Sequence, residues 1–293
     1  MSKSVIRGFF KAILKLTKLI LEVIFTLILI GICVFVDARY IEPKLLVVKE
    51  QKIVTKKLTQ EEPLRVVQFS DVHLRNDDTL ETFKRVINKI NDLNADIIIF
   101  TGDLIDDNKS FTQEEVATQL LKELKATYGK FAVYGNHDHG GNGTKRYARM
   151  MAGADFTLLV NEQQTLDLGN GNKITLTGVD DIVLGHPDFT AAFQNTDPSA
   201  YQLFLSHAPD VVDKVQTQNI DLQLSGHSHG GQVRVPFIGA PFTAPYGRQY
   251  IKGLYEVAEK NDMLLYVNSG IGTSQLPYRF MNPPEITLFL ISN

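Results

Sequence analysis

Apolar runs alternate with amphipathic stretches along most of this chain, and one apolar run is much longer than the others. Leu19 to Val36 is apolar apart from Glu22, Thr26 and Gly31, and no residue from Val23 to Val36 is charged. Eighteen helical residues rise about 27 Å, close to the roughly 30 Å of hydrocarbon that a spanning helix must cross. A core helix would keep a polar face, and this segment has almost none. It reads as a single membrane helix. Glu22 follows Lys18 by four positions, so the pair can reach the headgroups together.

Lys3, Arg7, Lys11, Lys15 and Lys18 precede the segment, and residues 5–18 fit a basic amphipathic helix on the inner leaflet. Val36-Asp37-Ala38 loosely fits a signal cleavage site, but the long basic lead favours a retained anchor. Arg39, Lys44, Lys49, Lys52 and Lys56 follow the segment. The positive-inside rule therefore leans only slightly towards a cytoplasmic N-terminus and a body on the extracellular side of the cell membrane. Ile32 stands where a lipoprotein cysteine at Cys33 would need a small residue.

The remaining pattern divides the chain in three. Residues 1–36 are a cytoplasmic basic segment and anchor, 37–63 a connection with the first strands, and 64–293 one domain. Lys44–Lys49 and Lys52–Thr55 predict a hairpin or edge strands. Leu64–Phe69 reads as a buried strand, and Ile97–Phe100 is a continuous apolar one. Phe131–Tyr134 predicts another strand. Between them, Thr79–Leu93 places Leu80, Phe83, Val86, Ile87, Ile90 and Leu93 on one helical face. Residues 113–126 do the same with Val116, Leu120, Leu121 and Leu124. Further strands are predicted at Ile174–Val179, Gln202–Leu205, Leu222–Leu224, Leu264–Val267 and Ile286–Ile291. The first half is α/β with a parallel sheet, and the second half is richer in strands.

Composition adds little to this, but charge matters. The chain has 293 residues, is 44% hydrophobic and 22% charged, and carries a formal net charge of −3. Residues 1–36 hold five basic groups and one acidic group, which leaves −7 on the rest. An acidic body argues against a non-specific nucleic-acid binder or nuclease. The sole cysteine lies in the apolar segment, so the body has no disulfide.

Five short blocks carry the chemistry. They are Asp71-Val-His73, Gly102-Asp103-Leu-Ile-Asp106, Gly135-Asn136-His137-Asp138, Ser206-His207-Ala-Pro and Gly226-His227-Ser-His229. Each falls where a predicted strand ends, and open α/β sheets bind ligands at the carboxyl ends of their strands. Singly, each has a plain reading: Gly102-Asp103 and Gly135-Asn136 are also turn chemistry. Together they hold five of seven histidines, beside carboxylates and an amide that suit a pair of divalent cations.

In this order the blocks resemble the calcineurin-like metallophosphoesterase superfamily, with its D-x-H, G-D-x-x-D, G-N-H-D/E, lone His and G-H-x-H pattern. Gly230-Gly231-Gln232, Pro245-Tyr246-Gly247-Arg248 and Pro283-Pro284-Glu285-Ile286 further resemble its membrane-anchored bacterial branch. The resemblance covers residues 64 to about 292. It implies a four-layer sandwich of two mixed sheets flanked by helices. It implies that Asp71, His73 and His229 hold one metal ion, that Asn136, His207 and His227 hold the other, and that Asp103 bridges them. It also implies that His137 is the general acid, oriented by the Asp106 carboxylate, and that a metal-bridging hydroxide attacks the phosphorus. A carboxylate can put one oxygen on each ion, which suits Asp103.

Asp138, His139 and His186 are not expected to be ligands, and Arg248 and Arg279 are expected to be solvated or structural. Asp106 stands where purple acid phosphatases place a ligating tyrosine, so a tyrosinate–ferric centre is not expected. Nitrogen and oxygen donors without sulfur suit manganese, the preferred choice, or zinc or iron. The expected function is hydrolysis of a phosphodiester, phosphomonoester or pyrophosphate, in a small or lipid-linked substrate such as a lipid-linked UDP-sugar. The alternative is a metal-stabilised scaffold without turnover, but scaffolds of this fold tend to have lost ligands, and none is missing here.

Overall fold

The apolar run folds as one long helix, α1 (Lys3–Val36), in the computed structural model, which describes residues 3–257 and 263–293. Its 34 residues make it about 51 Å long. None of its apolar window is buried against the rest of the chain. Two short helical turns, Asp37–Ile41 and Glu42–Lys44, lead from it into the body.

Twelve strands follow among the described residues. They are β1 (Val47–Val54), β2 (Leu64–Phe69), β3 (Ile97–Phe100), β4 (Lys130–Ala132), β5 (Phe156–Leu158), β6 (Glu162–Gly169), β7 (Asn172–Gly178), β8 (Tyr201–Leu205), β9 (Leu222–Ser225), β10 (Gly253–Glu256), β11 (Leu264–Val267) and β12 (Glu285–Ser292). The first sheet has the order β1-β12-β2-β3-β4-β5 and the second β10-β11-β9-β8-β7-β6. Both are mixed. β2 to β5 run parallel while β12 opposes β2, and β7, β8, β9 and β11 run parallel between antiparallel edges β6 and β10.

Helices α2 (Asp77–Asn91), α3 (Glu114–Lys122) and α5 (Thr144–Gly153) cover the first sheet, and the single turn α4 (Asn136–His139) lies at its edge. α2 starts where the sequence allows it. The Asn76 side chain accepts from Thr79 N–H and the Thr79 hydroxyl accepts from Asn76 N–H, with Asp77 and Asp78 in the positive first turn.

Strand alternation assigns each residue to a layer. In β3, Ile97 and Ile99 face the second sheet and meet Val66, Leu176, Leu203, Leu224 and Tyr266. Ile98 and Phe100 face outward onto Phe83, Ile87, Leu121 and Tyr147 of the helices. Phe204, Leu265 and Val267 of the second sheet pack under Val211, Val212 and Val215. The result is the four-layer sandwich, two mixed sheets between helices. Phe69 stacks on Phe100 at 4.6 Å inside it, and truncating such a ring to alanine costs about 3–5 kcal/mol.

Three differences from the sequence pattern stand out. Of the hairpin or edge strands expected over 44–55, the structure has a single edge strand, because Glu50-Gln51 continues β1 alongside β12 in parallel register. Edge strands β5, β6 and β10 and helix α5 were not anticipated. Helix 113–126 is shorter, since it ends at Lys122.

Candidate metal centre

The five blocks begin within three residues of the ends of β2, β3, β4, β8 and β9, and so meet along one edge where the two sheets face each other. The turns that carry them are sharp. Asp71, His73, Asp103, His227 and His229 all have positive φ, between 49° and 66°. Non-glycine residues enter this region at a cost of about 1–2 kcal/mol each. Five such residues in one site mark where the fold accepts backbone strain to aim side chains. The glycines beside them leave the room: a Cβ on Gly135 would strike Asp103 Oδ1, and one on Gly226 would strike Asp71 Oδ2.

The donors form two pockets. In one, Nε2 of His73 lies 3.0 Å from Nε2 of His229, and Asp71 Oδ1 is 3.3 Å from His229 Nε2. In the other, Nδ1 of His227 lies 3.1 Å from Nε2 of His207. Asp103 Oδ2 stands between them, 3.5 Å from His73 Nε2 and 3.3 Å from His207 Nε2. Its Oδ1 accepts from His137 N–H at 2.8 Å, so a single oxygen faces both pockets, rather than one oxygen for each.

The tautomers show what these pockets accept. His207 Nδ1 is 2.6 Å from Thr101 O, His227 Nε2 is 2.7 Å from Pro245 O, and His73 Nδ1 is 3.1 Å from Asp106 Oδ1. Those oxygens only accept here, so the nitrogen facing each carries the hydrogen and the other nitrogen turns a lone pair inward. Lone pairs 3.1 Å apart beside a buried carboxylate repel unless a cation lies between them. The Asn136 amide oxygen is buried and, among the described residues, has no hydrogen-bond partner. This donor set fits divalent cations. Asp71, His73 and His229 can share one ion, and so can Asp103, His207 and His227.

The electrostatics agree. Burial pushes the Asp103 carboxyl up, but His207, with its hydrogen bond, and His73 outweigh it and hold Asp103 well below the carboxylate range. Burial pushes His207 down, yet Asp103 carries it well above an ordinary imidazole. Without a cation, a proton fills the gap. Burial and the neighbouring His73 and Arg279 push His229 well down, leaving its lone pair free.

A model of the calcineurin-like phosphoesterase family matches residues 64–231. The chain belongs to that family. This phosphoesterase is 40% identical to the metallophosphoesterase YkuE of Bacillus subtilis (strain 168), over 87% of this chain and 89% of that one. It is 30% identical to the UDP-2,3-diacylglucosamine pyrophosphatase LpxG of Chlamydia trachomatis serovar D, over 90% of this chain and 94% of that one. It is a metallophosphoesterase, an enzyme with metal-binding clusters of histidine and aspartate.

In this phosphoesterase the contact expected between Asp106 and His137 is a different one. His137 Nδ1 donates to the backbone oxygen of Asp106 at 2.6 Å, not to its carboxylate. The carboxylate turns the other way, to His73 Nδ1 at 3.1 Å and Arg75 Nε at 2.8 Å. Burial pushes Asp106 up, but the hydrogen bonds from His73 and Arg75 more than reverse this and keep it ionised. Burial pulls His137 down while the Asp103 charge and the Asp106 carbonyl raise it above the usual imidazole value.

Asp138 is structural. It accepts from the N–H groups of Asp103, Leu104 and Gly135, which shapes both neighbouring turns. Burial and the Asp103 charge push it up to about 7 against the pull of those donors. His139 stands apart, bonded to Asp180 at 2.7 Å, and His186 donates its backbone N–H to the same carboxylate. Arg248 is exposed. Arg279 is fully buried and holds the carbonyls of Ser269, Gly270, Gly272 and Asn282.

The pattern of blocks did not point to Arg75 or Asn108. Arg75 also donates to Thr273 O, locking the Asp106 carboxylate to a distant loop. Asn108 donates to the carbonyls of His137 and Gly140. With Asp107, His137 and Leu184 it lines a cavity of about 180 Å³ beside the donors. A basic residue two positions beyond a D-x-H block was the only sequence signal for Arg75.

Proposed function

We propose that this phosphoesterase is held in a membrane by α1 and cleaves a phosphate ester or pyrophosphate bond in a lipid-linked substrate, using two divalent cations. Asp71, His73 and His229 would hold one ion, Asn136, His207 and His227 would hold the other, and Asp103 would serve both. When bound, such a pair of ions supplies Lewis acidity and a water that loses its proton near neutral pH. The observation that carries this reading is the placement of Asp103 Oδ2 between two pockets of inward-facing imidazole lone pairs.

The protein's own groups do the rest. The backbone carbonyl of Asp106 fixes the His137 ring with Nδ1–H outward, so Nε2 is the atom that gives a proton to the departing oxygen. His73 is kept in register by the Asp106–Arg75 pair. The cavity beside His137 has room for the part of the substrate that leaves. The relation to LpxG supports a nucleoside diphosphate attached to a lipid as the substrate class, and the exposed apolar α1 supports a body held at the membrane. Manganese is the preferred ion and the extracellular side the preferred location.

The test uses the full chain in detergent, stripped with chelator and reloaded with manganese, zinc or iron. We expect metal-dependent release of nitrophenol from a bis-nitrophenyl ester and of a nucleoside monophosphate from a lipid-linked UDP-sugar. A chain that binds metal in both pockets yet turns over neither substrate would refute the reading.

A further inference from the structure

The segment that joins the two donor histidines of the last block to Pro245 is unlike any other exposed loop in the chain. Between Arg234 and Arg248 there is no charged residue, and the run Val235-Pro-Phe-Ile-Gly-Ala-Pro-Phe is almost wholly apolar. Val235 and Gly239 exchange backbone hydrogen bonds at 2.8 and 2.9 Å, a tight turn that lifts Phe237 to its tip. Phe237 is fully exposed with φ of 67°, Ile238 is 74% exposed and Phe242 82%. A bulky aromatic residue in the left-handed region, facing water, is doubly unfavourable for a soluble surface.

The loop is also fastened at both ends to the donor cluster. It leaves six residues after His229, at Val235, and it returns at Pro245, whose carbonyl orients His227. Along its side it is tied to the end of α1 through a second segment. Arg234 N–H donates to Phe280 O, and Phe280 N–H to Gln232 O. Arg279 N–H donates to Ala38 O, and Met281 and Asn282 N–H donate to the Glu42 carboxylate. Phe35 and Tyr278 have ring centroids 6.1 Å apart. Exposed Leu276 and Met281 sit on this connecting segment, so apolar surface continues from α1 through residues 276–281 to the loop.

We propose that residues 235–242 are a membrane-inserting loop that seats the body on the lipid surface beside α1. Phe237, Ile238 and Phe242 enter the boundary between headgroups and acyl chains, and Arg234 and Arg248 meet anionic headgroups on either side. Because the loop is anchored at His227 and His229, its insertion holds the donor cluster close to the plane where a lipid-linked phosphate lies. This rests on the reading of α1 as a membrane anchor.

The chain contains no tryptophan, so a single introduced one reports its own surroundings. Full-length Phe237→Trp is reconstituted into phosphatidylethanolamine–phosphatidylglycerol vesicles with and without doxyl-labelled lipid. Val54→Trp, at the exposed end of β1 furthest along the strand from α1, is the control. We expect blue-shifted emission and doxyl quenching for Trp at 237 and neither at 54. In parallel, Phe237→Asp with Phe242→Asp is expected to cost roughly tenfold on a vesicle-embedded lipid diphosphate, since docking raises the local concentration of site and substrate. The rate on a soluble nitrophenyl ester should not change. Water-like emission at 237 from a chain that has entered the vesicles would refute docking alone. Blue-shifted emission that follows protein concentration and ignores doxyl lipid would mean a second copy covers the loop, and would also refute it. A chain that never enters the vesicles overturns both docking and the anchor.

Discussion

The two metal-binding pockets are built from the same kinds of side chain but are braced differently. On the His207/His227 side, both rings are held by backbone carbonyls, Thr101 O and Pro245 O. On the His73/His229 side, His73 is held by a carboxylate, itself clamped by Arg75. A carbonyl brace is neutral and survives any substitution of its own side chain. A carboxylate brace makes the imidazole more electron-rich and can be removed by one mutation. The pockets therefore differ in fragility, and Asp103 couples them.

The largest effect should come from removing that coupling. Asp103→Asn is expected to lower kcat/KM by at least about 10³-fold, because it takes out charge facing both ions. Metal analysis should show both pockets weakened, and loss confined to one would break the picture of a shared oxygen. Next comes His137→Gln, expected to cost roughly 10²- to 10⁴-fold on alkyl phosphate esters. Its loss should shrink with nitrophenyl esters, whose leaving group needs no proton, while metal content stays level. Equal loss on both substrates would remove the general acid.

Asp106→Asn should be milder, about 10- to 100-fold weaker metal binding in the His73 pocket. Its dependence on the leaving group should match the parent enzyme, since the Asp106 carbonyl still braces His137. A His137-like dependence would restore the carboxylate pairing that the sequence suggested.

Which parts were legible in the sequence follows from burial and locality. β2, β3 and β11 have the bounds that the sequence predicts, because strands covered on both faces are rich in apolar residues, although Arg65 and Gln68 interrupt β2. Edge strands β6 and β10 are half exposed, so no buried apolar run announces them. The convergence of the five blocks was readable because each sits at a strand end. The acceptor for His137 was not, since the Asp106 side chain is drawn away by Arg75, a residue from another block's flank. Nothing local to residues 47–54 announces a partner more than two hundred positions away.

That pairing has a consequence for biosynthesis. The segment that leaves α1 is among the first of the body to be made, yet its strand β1 pairs only with β12, more than two hundred residues later. The sheet bearing three of the five donor turns stays open at that flank until β12 has been made. Contacts this distant in sequence form late, and they leave edges exposed while they wait. A truncated or stalled chain is thus left with a raw strand edge near α1 and a donor cluster whose scaffold never closes.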